Sequence, residues 1–221
     1  MPVTFTNRRG GASLGAYSSL NLGDHVGDAQ DDVLRNREVI AELYGPVQFM
    51  NQVHGNRIAI IEGITQEPPT ADALITGIPG ITLVVMVADC IPLLLTSQEA
   101  VAAVHVGRRG LVNQIASKTI ELMREMGAQD ISADVGPAIC GRCYEVSADI
   151  HQEVISHFPS ADARTTSGSL ALDLPKALYG VLQSLGVSIN PSEGRCTVED
   201  PELFSYRRDG VTGRQAGLVS L

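Results

Sequence analysis

Basic residues are scarce in this chain of 221 residues. It contains 16 lysines and arginines against 25 aspartates and glutamates, which gives a formal net charge of -9 and a pI near 4.9. Binding to a phosphate backbone requires a positively charged face. The composition therefore argues against a nucleic acid as the partner of this protein.

Long apolar runs are also missing. The longest apolar stretch, residues 81–95, is interrupted by Asp89 and Pro92, and it is shorter than the roughly 20 residues that a membrane-spanning helix needs. Residues 1–11 lack the apolar core of a secretory signal. We therefore expect no membrane association and a soluble, cytoplasmic protein.

Two sequence signatures of nucleotide binding are absent as well. No GxGxxG follows an expected strand and no GxxxxGK[ST] occurs, so neither phosphate-binding loop is available. No linker, change of composition or internal repeat divides the chain, and its 44% hydrophobic residues can form one sizeable core. We expect a single domain over residues 1–221.

Apolar periodicity predicts alternating helices and strands. The predicted helices are 31–44, 112–126, 150–158 and 174–185, and the predicted strands are 47–53, 57–62, 72–76, 81–87, 91–96, 101–105, 131–135 and 195–198. Segment 81–87 is apolar on both faces, which indicates a strand covered on each side. Connections too short for helical crossovers require antiparallel neighbours. The expected fold is α/β (α+β), with mixed β-sheets sandwiched between helices.

Three metal-capable side chains each end an apolar stretch, namely His54, Cys90 and His105. Each is followed within two residues by Gly or Pro, as is typical where a strand gives way to a loop. Two imidazoles and a thiolate with one open position match a catalytic zinc or copper site. A packed core histidine or cysteine remains the alternative at each position.

Paired arginines stand out against the acidic background. Arg108 and Arg109 follow His105, and Arg207 and Arg208 are followed by Arg214. Guanidinium groups bind phosphate or carboxylate through two parallel hydrogen bonds, which indicates a small anionic ligand. Solvated surface arginines are the alternative.

Four cysteines include one CxxC pair, Cys140 and Cys143. A structural zinc would need further ligands, and the remaining cysteines, Cys90 and Cys196, are isolated from each other in the sequence. The pair also follows Gly136 and Pro137 late in the chain, not the first strand of a βαβ unit, as a redox pair would. It is therefore predicted to be dispensable for metal binding.

Nine short motifs occur in the order found in one known family. They lie at residues 19–23, 33–37, 52–55, 71–76, 88–93, 105–110, 135–139, 143–146 and 204–210. Together they cover nearly the whole chain and resemble the laccase-domain proteins, also called multicopper polyphenol oxidase-like proteins. Members of that family include purine nucleoside phosphorylases and a bacterial peptidoglycan editing factor. The resemblance implies mixed sheets sandwiched by helices, a fold related to the catalytic domain of a deamidating bacterial toxin.

The resemblance also implies a set of site residues. Its metal ligands fall on His54, Cys90 and His105, with zinc as the expected metal and copper as the alternative. Arg109 matches the family's arginine after the last ligand and is expected to hold the anionic co-substrate. Asn21 and Arg207 match polar positions that we expect near the substrate. Asp89, beside Cys90, either orients a ligand histidine or caps a loop.

The activity implied by the resemblance is metal-dependent phosphorolysis of purine nucleosides (adenosine, inosine and methylthioadenosine), with adenosine deamination as a further reaction of the same site. One departure concerns substrate choice, because Val106 and Arg108 replace an alanine and a tryptophan of the family and the chain has no tryptophan. A guanidinium plane can replace an aromatic ring in stacking on a base.

Three alternative functions stay open. Cys90 could be the nucleophile of a cysteine hydrolase, or the protein could be an editing factor whose partner is a cell-wall precursor. A copper-dependent polyphenol oxidase is the third alternative, although a single metal site lacks the many histidines of a multicopper chain.

Overall fold

The architecture follows from a computed structural model that describes residues 3–221. The strands are β1 (Val3–Phe5), β2 (Val47–Gln48), β3 (Ile58–Ile60), β4 (Ala73–Thr76), β5 (Thr82–Val87), β6 (Ile91–Thr96), β7 (Val101–Val106), β8 (Ser132–Val135), β9 (Asp162–Arg164), β10 (Leu170–Leu172), β11 (Ser188–Ile189) and β12 (Gln215–Ser220). The helices are α1 (Gln30–Tyr44), α2 (Arg108–Val112), α3 (Ile115–Glu125), α4 (Ala148–His157), α5 (Leu174–Ser184) and α6 (Tyr206–Asp209). Short 3-10 turns lie at Gly15–Tyr17 and Pro159–Ala161.

Two mixed sheets form the centre of the molecule. The first has the order β1-β12-β5-β2 and the second the order β11-β8-β6-β7-β4-β3. In the first sheet, β12 is antiparallel to both neighbours, whereas β2 is parallel to β5. In the second, β6 and β7 form an antiparallel pair and each edge pair is parallel. The predicted mixed-sheet α/β fold is confirmed.

Side-chain alternation along β5 divides the core into layers. Leu83 and Val85 pack between the two sheets, whereas Val84 and Met86 pack on the opposite face with Ile40 of α1. Because successive strand residues point to opposite faces, a strand buried on both sides must be apolar throughout. The predicted two-sided burial of this strand is confirmed. The outer face of the second sheet is covered by α3, α4 and α5.

Three of the four predicted helices agree with the structure, and the fourth begins later than predicted. Of the predicted helix 112–126, residues 115–125 form α3, because Gln114 adopts the left-handed conformation with φ of 61° and cannot continue a right-handed helix. Helices α1, α4 and α5 lie within two residues of their predicted bounds, whereas α2 and α6 were not predicted. None of the helices within residues 3–221 is long and apolar enough to cross a membrane.

Two expectations about strands are wrong. The predicted strand 47–53 is limited to β2, and the predicted strand 195–198 is a loop with one bridge, from Ala138 to Cys196. The Arg208 guanidinium donates hydrogen bonds to the carbonyl oxygens of Thr197 and Asp200 in and beside that loop, at 2.8 and 3.0 Å. A side chain therefore supplies the hydrogen bonds that a partner strand would supply.

The fold also brings Cys196 to the cysteine pair. The backbone N–H of Cys140 donates to Cys196 Sγ at 3.4 Å, so Cys196 is not isolated from the CxxC. The parallel bridge between Ala138 and Cys196 brings them together.

Candidate functional site

The three predicted metal ligands converge at one end of the second sheet. The pairing of β6 with β7 sets Pro92 opposite His105 and so brings Cys90 beside His105. His54 lies on the loop after β2, with a left-handed φ of 57°. Cys90 Sγ is 3.8 Å from His54 Nε2, and the two imidazole rings meet edge to face with centroids 4.6 Å apart.

A buried carboxylate, Asp72, holds this arrangement. Its Oδ1 accepts hydrogen bonds from His105 Nδ1 at 2.9 Å and from the His54 N–H at 2.8 Å, and its Oδ2 accepts from the Gly55 N–H at 2.7 Å. Because Nδ1 of His105 is engaged, its Nε2 is the nitrogen available to a ligand. Sequence reasoning missed Asp72; a lone acidic residue opening an apolar strand was the available signal.

The charges within this cluster are strongly coupled. Burial raises the pKa of the Cys90 thiol, but the imidazoles of His105 and His54 outweigh burial and bring it down to about 6. Burial lowers the pKa of His105, but Cys90 and Asp72 outweigh it and raise it to about 9. Burial raises the pKa of Asp72, but the hydrogen bonds from His105 and the backbone N–H groups outweigh burial, so the pKa lies below its usual value. Cys90 is therefore held as the thiolate, the form that binds a metal.

The donor set fits a single metal ion. One nitrogen from each histidine and the Cys90 sulfur all lie within 4.8 Å of one another, and zinc binds such atoms at about 2.0 to 2.3 Å. Gly107 keeps the space between them free, since a Cβ there would lie 3.0 Å from Cys90 Sγ and 3.1 Å from His54 Cδ2.

Replacing Gly107 should therefore weaken metal binding. We expect Gly107→Ala to lower the affinity for zinc by roughly 10- to 100-fold, as changes beside metal ligands do, because its methyl group pushes Cys90 and His54 apart. Competition with a chelator measures the affinity. The matched control is Gly180→Ala in α5, where an added Cβ meets nothing within 4 Å. Equal affinities of the two variants would contradict this prediction.

A cavity of about 580 Å³ opens beside the three ligands. Its apolar wall includes Met86, Val87 and Ile139, and Tyr144 adds an aromatic ring. A volume between about 300 and 1,000 Å³ is typical of small-molecule sites. The cavity therefore suits a ligand of the size of a nucleoside.

Two arginines line the cavity among the residues that the structure describes, Arg207 and Arg214. Arg207 donates from Nη1 to the carbonyl oxygen of Glu145 at 2.8 Å, and its guanidinium lies 5.2 Å from the centre of the Tyr144 ring. Arg214 donates to the carbonyls of Thr212 and Gly213 at 3.1 and 2.9 Å. Both guanidinium groups keep further N–H donors for an anion.

Two other predicted residues lie outside the cavity lining. Arg109 is exposed on α2, and Arg108 beside it is half-buried and bound to Glu153 at 2.7 Å. Asn21 is fully buried, and its Oδ1 accepts from the backbone N–H of Arg214 at 2.8 Å. Asn21 thus supports the segment that carries an arginine of the cavity.

Asp89 takes the loop-capping role of the two that the sequence left open. Its Oδ1 accepts from the hydroxyls of Thr197 and Ser205, both at 2.6 Å, and its Oδ2 accepts from the Arg207 N–H at 2.6 Å. Because Asp89 directly precedes Cys90, these hydrogen bonds hold the start of α6 close to Cys90. Arg207 is placed at the cavity by this contact.

Two packed mixed sheets with a His-Cys-His cluster beside a cavity describe an α/β protein with a candidate metal centre. The model of the family described as multi-copper polyphenol oxidoreductase laccase matches residues 2–221, and the chain belongs to this family. The resemblance drawn from the nine motifs is confirmed.

Relatives with assigned names include a purine nucleoside phosphorylase of Corynebacterium glutamicum, 45% identical over 98% of this chain and 93% of its own length. A purine nucleoside phosphorylase of Streptomyces griseus is 42% identical over 98% of this chain and 93% of its own. Among solved structures, Neisseria meningitidis protein NMB0706 aligns with a TM-score of 0.91 and 37% identity, covering 99% of this chain and 93% of that one. YlmD from Geobacillus stearothermophilus aligns with a TM-score of 0.88 and 32% identity, covering 99% and 91%.

Proposed function

We propose that this protein is a metal-dependent purine nucleoside phosphorylase that accepts adenosine, inosine and methylthioadenosine. The observation that carries the proposal is the His54-Cys90-His105 cluster beside a cavity lined by two arginines and a tyrosine. The names of the relatives support the same class of reaction. The cavity has room for a nucleoside together with phosphate.

His54, Cys90 and His105 would hold the ion, zinc in the first place and copper as the alternative. When bound, the metal supplies Lewis-acid polarisation of the substrate or the phosphate. Asp72 keeps His105 in the tautomer that presents Nε2, and its bonds to the backbone of residues 53–55 keep His54 in place.

The arginines bind the co-substrate in this proposal. A phosphate oxygen bonds to C1′ of the ribose while the bond from C1′ to the purine nitrogen breaks, and the base leaves with the electron pair and takes up a proton. Arg207 and Arg214 hold the other phosphate oxygens by charge-assisted hydrogen bonds. Tyr144 and the apolar wall contact the purine. Arg108, which occupies the family's tryptophan position, does not take this role because its guanidinium pairs with Glu153.

We expect Arg207→Ala to raise the KM for phosphate about tenfold or more, because a hydrogen bond to a charged group contributes about 1.5 to 3 kcal/mol. The matched control is Arg109→Ala, an exposed arginine outside the cavity lining. Steady-state kinetics at varied phosphate measure both. If Arg109→Ala alone raises the KM, the family-based assignment of Arg109 is right and Arg207 is not the phosphate ligand.

One assay tests the reaction class. Inosine, adenosine and methylthioadenosine are incubated with the purified protein with and without phosphate, and free base, ribose 1-phosphate and ammonia are measured. Base released only with phosphate supports phosphorolysis. Ammonia from adenosine without phosphate identifies deamination as an activity of the site. Absence of every product would overturn the proposal.

A second candidate, a cysteine hydrolase, is favoured by one observation. Asp72, His105 and Cys90 lie in the order carboxylate, imidazole, thiolate, with a 2.9 Å bond between the first two, as in an activated nucleophile. In such an enzyme the Cys90 thiolate would attack an acyl carbon, and the amine or alcohol would leave with a proton from His105. Water would then hydrolyse the thioester, releasing the acid and the free thiol. Activity that survives complete removal of metal by a chelator would favour this candidate.

A further inference from the structure

A second group of metal-capable side chains lies outside the cavity lining. Sγ of three cysteines and one carboxylate oxygen all lie within 4.8 Å of one another, from Cys140, Cys143, Cys196 and Glu199. The group consists of two pairs with the same spacing, Cys-x-x-Cys and Cys-x-x-Glu. Two short segments far apart in the sequence thus each present two donors to one point.

The distances fit a tetrahedral metal site. Glu199 Oε1 lies 3.6 Å from Cys143 Sγ and 4.0 Å from Cys140 Sγ. In a tetrahedral zinc site with bonds of about 2.3 Å to sulfur and about 2.0 to 2.2 Å to oxygen, a sulfur and an oxygen ligand are roughly 3.5 to 3.7 Å apart. The four donors therefore need only small movements to surround one ion.

The backbone around the cluster has the features of a metal-binding knuckle. The N–H groups of Cys143 and Tyr144 both donate to the carbonyl oxygen of Cys140, at 3.0 and 3.1 Å, which closes a tight turn. The Cys140 N–H donates to Cys196 Sγ at 3.4 Å. This hydrogen bond joins the segment of Cys196 to the CxxC through the sulfur atom itself.

Charge around the cluster is also suited to an ion. Three thiolates and a carboxylate would repel one another without a cation, and a divalent ion removes only part of that charge. Arg142 Nη2 contacts both oxygens of Glu199, at 3.2 and 3.3 Å, and offsets part of the remainder. Because each carboxylate oxygen has two lone pairs, Glu199 can bind Arg142 and a metal together.

We propose that Cys140, Cys143, Cys196 and Glu199 form a structural zinc site, separate from the His54-Cys90-His105 cluster. Thiolate-rich donor sets select zinc over harder divalent ions. Four protein ligands leave no open position, which is the arrangement of a structural site and not of a catalytic one.

Zinc at this site would hold three residues of the cavity lining in place, Ile139, Tyr144 and Asp89. Ile139 precedes Cys140 and Tyr144 follows Cys143, and both line the cavity. Thr197, which follows Cys196, donates to Asp89 beside Cys90. Zinc bound here would join the segments 139–144 and 196–199 and so hold these contacts in register. Its loss should raise the KM for nucleoside and lower Tm, with a smaller effect on kcat.

The test counts zinc in the full-length protein, purified without a metal-affinity tag. We expect about two zinc ions per chain in the wild type, about one in Cys143→Ser and about one in Cys90→Ser, since loss of one ligand empties its own site only. Glu199→Gln should bind the second ion more weakly, whereas Glu193→Gln, an exposed control on the preceding loop, should not. If the first site fails and this one holds, the single ion of the wild type disappears in Cys143→Ser and stays in Cys90→Ser.

Cobalt loading of the wild type and of Cys90→Ser, in which the proposed second site is intact, gives a second readout. A site with three thiolates gives stronger sulfur-to-cobalt absorption than a site with one thiolate and two imidazoles, so most of this absorption should survive in Cys90→Ser. The proposal is overturned if the wild type binds no zinc that depends on Cys143. It is equally overturned if mass spectrometry of the freshly purified, unreduced protein finds Cys140 and Cys143 joined by a disulfide.

Discussion

Cys90→Ser should lose the zinc ion of the His54-Cys90-His105 cluster and reduce phosphorolysis about a thousandfold or more. Serine does not ionise near neutral pH and is a poor zinc ligand, so the site keeps only two of its three protein ligands. Lewis-acid stabilisation of a transition state contributes several kcal/mol, and each 1.36 kcal/mol corresponds to a factor of ten in rate. Elemental analysis and kcat/KM for inosine measure the two losses.

The controls for this result use histidines. His54→Ala should behave like Cys90→Ser, whereas His157→Ala, an exposed histidine at the end of α4, should change neither zinc content nor rate. Lost activity with full zinc content in Cys90→Ser would instead identify Cys90 as a nucleophile. Full zinc content and full activity would remove this cluster from the active site.

Asp72→Asn should affect both stability and the metal site. The carboxylate accepts from His105 Nδ1 and from the backbone of His54 and Gly55, and an amide, which has one acceptor oxygen, cannot satisfy all three donors. Each buried donor left without a partner costs about 1 to 3 kcal/mol. We expect a loss of about 3 kcal/mol in the free energy of unfolding and a 10- to 100-fold lower metal affinity.

Denaturant unfolding and chelator competition measure these two effects of Asp72→Asn. Asp31→Asn is the control, because Asp31 is exposed in the first turn of α1. Unchanged unfolding of the Asp72 variant would mean that the loop of residues 53–55 is held by other contacts. Unchanged metal affinity would mean that His105 needs no partner at Nδ1.

Local patterns predicted the elements that local sequence determines. Helical spacing predicted α1, α4 and α5, and the apolar run of residues 81–87 predicted a covered strand, because burial on two faces leaves no position for a polar residue. The His-Cys-His cluster was also predictable, because each ligand ends an apolar stretch of the sequence and the nine motifs resemble a family that has it.

Side-chain direction could not be read from the sequence. Arg108 and Arg109 are neighbours on α2, where successive side chains point about 100° apart, and the sequence does not say which direction faces the cavity. Arg109 is exposed outside the cavity lining, and Arg214, named only as a neighbour of Arg207, lines it.

Contacts between distant segments were the second limit. The position of Cys196 beside Cys140 depends on a bridge that forms only in the folded chain. The role of Asp72 was harder to predict than its position, because several of its partners are backbone groups of residues 53–55 and every sequence has such groups. Sequence patterns report the chemistry of side chains but not which main-chain donors surround them.

The position of β12 between β1 and β5 has a consequence for how the protein is made. Residues 215–220 supply the antiparallel neighbour of β5, yet the ribosome adds them long after β5 has emerged. Until then, the apolar edge of β5 is open to pairing with another chain, a route to aggregation. Folding of the first sheet must wait for a very long loop to close, which predicts slow refolding.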